Sequence, residues 1–146
     1  MTTGFNTRSL HAGTEPDPDT GARATPIYQT SSYVFEDADT AADLYALREE
    51  GDVYSRVSNP TVRQLEARLA DLEGGVGAVA TASGMASLDS LTTILAQNGD
   101  NIVASSDMYG GTGSYLSTLA PRRGIEARTV PTLEYDAYAD AIDDDT

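Results

Sequence analysis

A serine, a glycine and a methionine at positions 83–85 form a candidate anion site. They follow residues 76–81, which are predicted as a strand, and they begin a predicted helix over residues 85–97. The first N–H groups of a helix have no partner within it and favour an anion, and Gly84 would let a phosphate approach the backbone. An ordinary serine cap followed by a turn glycine has the same pattern, so Ser83, Gly84 and Met85 alone do not decide between the two.

Tyr54 and Arg56 form a second candidate. They lie two positions apart in a segment predicted to be extended, so their side chains are expected on the same side. A phenol beside a guanidinium can hold a phosphate, because arginine donates paired hydrogen bonds to its oxygens. A surface arginine beside a packing tyrosine is the alternative interpretation of the same two residues.

Three further patterns in the chain carry weaker signals of function. Residues 107–112 have the composition of a turn, within which Tyr109 could stack on a ring. Residues 75–80 match the dinucleotide pattern GxGxxA, but they precede a predicted strand instead of following one, which excludes that motif. His11 is the only histidine and is more typical of a structural role, and no spacing of ligands predicts a metal site.

Composition excludes several classes of function. The net charge of −14 and the pI of about 4.1 oppose binding to nucleic acid or to an anionic membrane. The chain has fifteen Asp and eight Glu, and all nine of its basic residues are arginine. This composition resembles that of proteins from salt-loving organisms, because repulsion between so many carboxylates needs screening by salt. The chain has no cysteine, and neither a signal-peptide core nor a run of membrane-spanning length occurs, so a cytoplasmic location is predicted.

The order of elements predicts an α/β fold. Residues 1–37 show no sustained period and are predicted as an extended arm, followed by a short helix that starts near Thr40 and stops at Gly51. Asn59 is predicted to cap the next helix, with Pro60 in its first turn and an apolar face formed by Val62, Leu65, Leu69 and Leu72. The two glycines at positions 74 and 75 are predicted to end this helix.

After residue 75 the predicted strands and helices alternate, which is typical of parallel β-α-β units. Strands are predicted over 76–81, 101–105 and 125–130, and helices over 85–97, 112–122 and 134–142, with Leu88, Leu91 and Leu95 pointing inward. Ligands of such sheets bind at the carboxyl ends of strands, where both the serine–glycine–methionine and the tyrosine–glycine segments fall.

Taken together, three motifs resemble the pyridoxal phosphate (PLP)-dependent enzymes of cysteine and methionine metabolism, the cystathionine γ-synthase-like group. The motifs are Tyr54-Ser55-Arg56-Val57-Ser58-Asn59-Pro60-Thr61, Ser83-Gly84-Met85-Ala86 and Tyr109-Gly110-Gly111-Thr112. The resemblance runs from about Asn6 to the end of the chain. It implies a fold-type I, aspartate aminotransferase-like transferase. Residues 1–60 would be an N-terminal arm with a short helix, and residues 61–146 the incomplete start of the PLP-binding α/β domain.

The resemblance also implies roles for individual residues. Gly84 and Met85 would donate backbone N–H groups to the phosphate of PLP. Tyr54 and Arg56 would reach the phosphate of the neighbouring subunit's cofactor, which implies a homodimer or homotetramer. Tyr109 would stack on the pyridine ring and take part in proton transfer, as the one catalytic residue within the chain.

The chain contains no lysine, whereas the family holds PLP on a lysine amine and pairs its ring nitrogen with an aspartate. We therefore expect this chain to be the N-terminal part of a longer enzyme, with both residues after Thr146, and we expect the fragment alone to be inactive. The alternative is a non-catalytic phosphate-binding module that ends at Thr146.

Within the family, residues 10–35 and 44–47 most resemble the branch that acts on O-acetylhomoserine. The implied reaction is a γ-replacement by sulfide or methanethiol, which gives homocysteine or methionine. A cystathionine γ-synthase or γ-lyase is the alternative within the family. In methionine γ-lyases a cysteine usually follows the stacking tyrosine by two positions, and Gly111 at that position disfavours this activity.

Overall fold

The structure, a computed structural model, describes residues 4–146. The chain divides into two compact units, the first ending at Ala80 and the second spanning Thr81–Thr146. The first unit contains α1 (Phe5–His11), α2 (Ala38–Tyr45) and α3 (Pro60–Glu73). The second contains α4 (Gly84–Leu95), β1 (Asn101–Ser105), α5 (Gly110–Ser114), a π-helical turn (Tyr115–Leu119), a 3-10 turn (Pro121–Arg123), β2 (Glu126–Val130) and α6 (Tyr135–Ala141). No helix among the described residues has the length and apolar character needed to cross a membrane.

Helix α3 begins and ends where its sequence signals predict. The Asn59 side chain accepts a hydrogen bond from the backbone N–H of Thr61, and Pro60 occupies the first turn. Gly74 ends the helix in the left-handed conformation, with φ at 71°. Both predicted boundaries of this helix are confirmed.

Helix α2 corrects the predicted cap. Asp37, and not Thr40, is the N-cap residue, since its carboxylate accepts from the backbone N–H of Thr40 at 2.7 Å. The hydrogen bond from Thr40 lowers the pKa of Asp37 below its usual value. The helix ends at Tyr45, before the predicted stop at Gly51, because Leu47 adopts a φ of 55° and cannot continue it.

The N-terminal arm is only partly extended. The prediction missed α1, which lies against α3 through an ion pair of 2.7 Å between Arg8 and Asp71. Gly13 then approaches α3 closely, with a φ of 66°; a Cβ atom there would lie 2.9 Å from both the Ala67 Cβ and the Arg68 backbone nitrogen. This approach requires glycine on grounds of both conformation and space.

The sheet of the second unit has two parallel strands, as the alternating pattern predicts. Strands β1 and β2 pair from Asn101 opposite Glu126 to Ser105 opposite Val130. The predicted strand over residues 76–81 is wrong, because a strand needs a hydrogen-bonded neighbour and the described sheet consists of β1 and β2 alone. The N–H of Ala80 instead donates to a carboxylate oxygen of Glu66 at 2.8 Å.

The helix predicted over residues 112–122 is divided into α5, the π-helical turn and the 3-10 turn. The Ala120 N–H bonds to the Tyr115 carbonyl five residues back, and the next residue, Pro121, has no N–H to continue a helix. This division buries Tyr115, Leu116 and Ala120 with Ile125 in the core of the second unit.

Helix α4 contributes less to that core than predicted. Leu88 packs against the buried cluster, but Leu91 and Leu95 are 55% and 75% exposed, which corrects their predicted inward direction. At the other end of the unit, Asp143 accepts hydrogen bonds from Arg128 and Asn101, and these bonds hold its pKa at about 2. They fasten the segment after α6 to the two strands.

Candidate functional site

The start of α4 leaves two backbone donors free. The Ser83 hydroxyl accepts from the Ala86 N–H at 3.1 Å, and the Ser83 carbonyl accepts from the Ser87 N–H at 3.1 Å. Within residues 4–146, the N–H groups of Gly84 and Met85 make no hydrogen bond. This helix start can therefore bind an anion.

The junction before α4 is held by its own side chains. The Thr81 hydroxyl donates to the Ser83 carbonyl at 2.8 Å and lies 2.7 Å from the Ser87 hydroxyl. Gly84 is exposed, and a Cβ atom there would meet no atom within 4 Å. The open space beside Gly84 leaves this helix start accessible to an anion such as the phosphate of PLP.

Tyr109 lies at the start of α5, in a loop that is fixed to the end of β2. The Thr132 hydroxyl donates to the Asp107 carboxylate at 2.8 Å and lies 2.6 Å from the Ser105 hydroxyl. The Tyr109 side chain is 74% exposed, so its ring is free to stack on a ligand. This loop lies at the carboxyl ends of β1 and β2, where parallel sheets bind ligands.

Gly111 leaves room for the Tyr109 ring. A Cβ atom at Gly111 would lie 2.5 Å from Cε1 of that ring, so any larger residue would require the ring to move. Gly111, which disfavours a methionine γ-lyase on sequence grounds, therefore also allows the observed position of the Tyr109 ring.

Tyr54 and Arg56 are brought together by a turn, which corrects the predicted extended segment. The N–H groups of Val57 and Ser58 both donate to the Tyr54 carbonyl, at 2.8 and 3.0 Å. The Arg56 guanidinium carbon lies 5.4 Å from the centre of the Tyr54 ring, within the range of a cation–π contact. Both side chains are exposed.

Asn59 holds this turn against the arm, a role beyond the predicted cap. Its side-chain nitrogen donates to the Tyr28 carbonyl at 3.0 Å and to the Ser55 hydroxyl at 2.9 Å, and it lies 3.2 Å from the Tyr33 hydroxyl. Asn59 is only 8% exposed, so these bonds are largely shielded from water. The sequence predicts the cap at Asn59, but it does not reveal that the side chain is buried or that its nitrogen binds the arm.

The structure thus places the five predicted site residues in a turn or at the start of a helix. Tyr54 and Arg56 share one turn of the first unit, and Gly84, Met85 and Tyr109 begin helices of the second. His11 lies 3.4 Å from the Arg23 guanidinium, measured at Nδ1. No group of three or more potential metal ligands occurs within residues 4–146.

The family profile described as Cys/Met metabolism PLP-dependent enzyme matches residues 6–146. This match covers nearly the whole chain. It agrees with the parallel strand pair and with the unpaired N–H groups at the start of α4. The chain belongs to this family, whose members are fold-type I enzymes that depend on PLP.

Curated relatives agree with this assignment. The chain is 51% identical over 142 residues to Sulfhydrylase FUB7 of Fusarium oxysporum, covering 97% of this chain and 33% of that protein. It is 54% identical over 124 residues to O-acetyl-L-homoserine sulfhydrylase 1 of Thermus thermophilus, covering 85% of this chain and 30% of that protein. The chain therefore spans about a third of the length of the curated relatives that it matches.

Solved structures share the fold. A putative O-acetylhomoserine (thiol)-lyase from Campylobacter jejuni matches with a TM-score of 0.91 at 39% identity, over 99% of this chain and 36% of that one. That structure carries a pyridoxyl-lysine phosphate group at position 205 of its chain. The metB protein of Corynebacterium glutamicum matches with a TM-score of 0.88, also at 39% identity, over the same shares of the two chains.

Proposed function

We propose that this chain acts as part of a PLP-dependent enzyme that replaces the γ-substituent of O-acetylhomoserine. The entering nucleophile is sulfide or methanethiol, and the product is homocysteine or methionine. Support comes from relatives 46–54% identical to this chain whose names state O-acetyl-L-homoserine sulfhydrylase or homocysteine synthase. A cystathionine γ-synthase or γ-lyase remains the alternative, and no observation favours it over the sulfhydrylase.

One observation carries the cofactor proposal, namely the pair of free N–H groups at Gly84 and Met85. These groups donate to the phosphate of PLP, and the positive end of the α4 dipole adds to the attraction. Their position is fixed before binding, because Ser83 already satisfies the next two donors of the helix.

Tyr54 and Arg56 complete the phosphate contacts from a second subunit. The exposed guanidinium has no carboxylate oxygen within 4.0 Å among residues 4–146, so its charge is available to a phosphate. The cation–π contact with Tyr54 holds it beside a phenol that can also donate. The site is then shared between subunits of a homodimer or homotetramer.

Tyr109 packs its exposed ring against the cofactor ring, and its hydroxyl holds or moves a proton close to the substrate. Bound PLP supplies an electron sink for carbanion chemistry, and the protein supplies orientation and proton control. The amine that holds PLP lies outside these 146 residues, because the chain has no lysine. The resemblance to the family implies that the aspartate at the ring nitrogen lies outside them as well. A non-catalytic phosphate-binding module is the alternative if no such lysine accompanies the chain.

The setting of the enzyme belongs to the same proposal. The enzyme acts in methionine biosynthesis or transsulfuration and is placed in the cytoplasm, where disulfides are rare and a chain without cysteine is usual. The charge of −14 and the exclusive use of arginine support an adaptation to concentrated salt. The reaction itself is tested by measuring homocysteine from O-acetyl-L-homoserine and sulfide with the purified full-length protein.

A further inference from the structure

Four arginines stand out in this acidic chain because they are unpaired. Five of the nine form ion pairs with carboxylates, namely Arg8, Arg48, Arg63, Arg123 and Arg128. Within residues 4–146, the other four have no carboxylate oxygen within 4.0 Å, although the chain holds 23 acidic residues. Arg56 is assigned above to the cofactor phosphate, which leaves Arg23, Arg68 and Arg122.

Two of these three arginines line the same cavity. Arg23 and Arg68 face a cavity of about 430 Å³ in the first unit, together with His11 and the polar side chains of Thr14, Thr25 and Gln64. Leu10 and Ala24 complete its wall, and no carboxylate lies among the lining residues. In a chain with 23 acidic residues and nine arginines, a cavity lined by two guanidiniums and no acid is an exception.

Arg68 is held in place by hydrogen bonds, and both arginines have N–H groups that remain available to a ligand. Arg68 is half-buried and uses its Nε on the Ala12 carbonyl, at 3.0 Å, and Nη2 on the Thr14 hydroxyl. Arg23 uses one nitrogen on His11 Nδ1, at 3.4 Å. A guanidinium has five N–H groups in a rigid fork, so each arginine has several left for an oxyanion.

The scaffold around the cavity is also fixed. Gln64 donates to the Thr14 hydroxyl at 2.7 Å, and the close approach of Gly13 to Arg68 holds the arm on α3. Binding therefore costs little ordering of Arg68, Thr14 and Gln64, which favours affinity for a small ligand.

We propose that this cavity is a second anion site, separate in sequence from the phosphate-binding segments, and that it takes a free small oxyanion such as sulfate, phosphate or a carboxylate. Arg23 and Arg68 supply the charge, and Gln64 and Thr25 supply neutral hydrogen bonds. The rival occupant is a carboxylate side chain from another part of the assembled protein.

The test uses the full-length protein with PLP bound, so that the cofactor phosphate site is already filled. Sulfate is titrated at constant ionic strength in place of chloride, and binding is followed by calorimetry and by the melting temperature. Wild type should bind sulfate saturably, and Arg23→Gln should weaken that affinity on the order of tenfold by removing charge-assisted hydrogen bonds. Arg122→Gln is the matched control, because it removes one exposed, unpaired arginine elsewhere and should bind like wild type.

Arg68 also stabilises the fold through its bonds to Ala12 and Thr14, so removing its charge could unfold the protein. Its variant is therefore Arg68→Lys, which keeps the charge but loses the planar guanidinium that binds an oxyanion through two N–H groups. A crystal soaked in selenate gives a second measurement, and the selenium signal is expected between Arg23 and Arg68. Equal sulfate affinity in wild type and Arg23→Gln would overturn the proposal. A protein carboxylate found between the two guanidiniums would overturn it as well, and would assign the cavity to an internal ion pair.

Discussion

The side-chain nitrogen of Asn59 donates a hydrogen bond to the backbone carbonyl of Tyr28 at 3.0 Å, across 31 positions of sequence. The same side chain caps α3 and binds Ser55, which lies between Tyr54 and Arg56. One buried residue therefore joins the arm, the first long helix and the turn that presents the proposed phosphate contacts. This links the stability of the arm to the position of the site.

Replacement of Asn59 should show this link. Asn59→Ala in the full-length protein removes the cap and leaves the Tyr28 carbonyl without its donor, at a cost of about 3 kcal/mol in the free energy of unfolding. It should also weaken PLP binding, because the turn at Tyr54 loses its anchor. Asn59→Ser is the control, since it keeps a cap oxygen but is too short to reach Tyr28, and it should recover about 1 kcal/mol. Equal denaturation midpoints for wild type and both variants would contradict this role.

The helix start at Gly84 is tested by adding a negative charge to it. Gly84→Asp in the full-length protein should raise the dissociation constant for PLP at least tenfold, because the carboxylate repels the phosphate and occupies its space. Gly77→Asp is the matched control and should bind PLP like wild type. A Cβ atom at either glycine meets no atom within 4 Å, and both changes add one negative charge. Fluorescence titration of the apoprotein measures both, and a similar loss of affinity in the two variants would argue against the assigned phosphate position.

The assignment of Arg56 to a neighbouring subunit leads to a complementation test. Arg56→Ala should weaken PLP retention by about 2 kcal/mol through loss of a charge-assisted hydrogen bond. A chain with this change is mixed with a chain that lacks the catalytic lysine, at a PLP concentration too low for the Arg56→Ala chain alone to be active. If Arg56 acts across the subunit boundary, each mixed dimer contains one site with both Arg56 and the lysine, and activity returns. Activity that stays lost in verified mixed dimers would place Arg56 and the lysine in the same subunit's site.

Local signals in the sequence predicted those elements that local interactions determine. Asn59 followed by Pro60 predicted the start of α3, and the alternation of apolar segments predicted β1 and the parallel pairing with β2. Caps, prolines and glycines act within a few residues, so they can be recognised without knowledge of the tertiary structure.

Predictions that depend on tertiary contacts within the chain were less successful. Residues 76–81 have strand composition, but a strand forms only with a neighbour, and the described sheet contains β1 and β2 alone. Asp37 displaced Thr40 as the cap because two acceptable cap residues lie three positions apart and packing decides between them. The π-helical turn at Tyr115 cannot be predicted from the 3.6-residue spacing of apolar residues, which is the spacing of an α-helix. For the candidate site, motifs in the sequence predicted Gly84, Met85 and Tyr109. The contacts of Asn59 with Tyr28 and Tyr33 cannot be predicted from sequence spacing.

The acidic composition predicts a response to salt. With a net charge of −14 over 146 residues, repulsion between carboxylates opposes folding at low ionic strength. The melting temperature of the full-length enzyme should therefore rise as potassium chloride is increased to about 1 M, where the screening length falls to about 3 Å. Calorimetry at several salt concentrations measures this, and a flat or falling melting temperature would contradict the proposed adaptation to salt.

The proposed reaction is tested most directly with the purified full-length enzyme, PLP, O-acetyl-L-homoserine and sulfide, with homocysteine measured by mass spectrometry. The same enzyme is assayed with cysteine in place of sulfide, and the isolated 146-residue chain is the negative control because it has no lysine. Homocysteine formed by the full-length enzyme with sulfide, with little cystathionine from cysteine and no product from the isolated chain, is the expected result. Cystathionine as the main product, or no homocysteine from a PLP-loaded enzyme, would contradict the sulfhydrylase assignment.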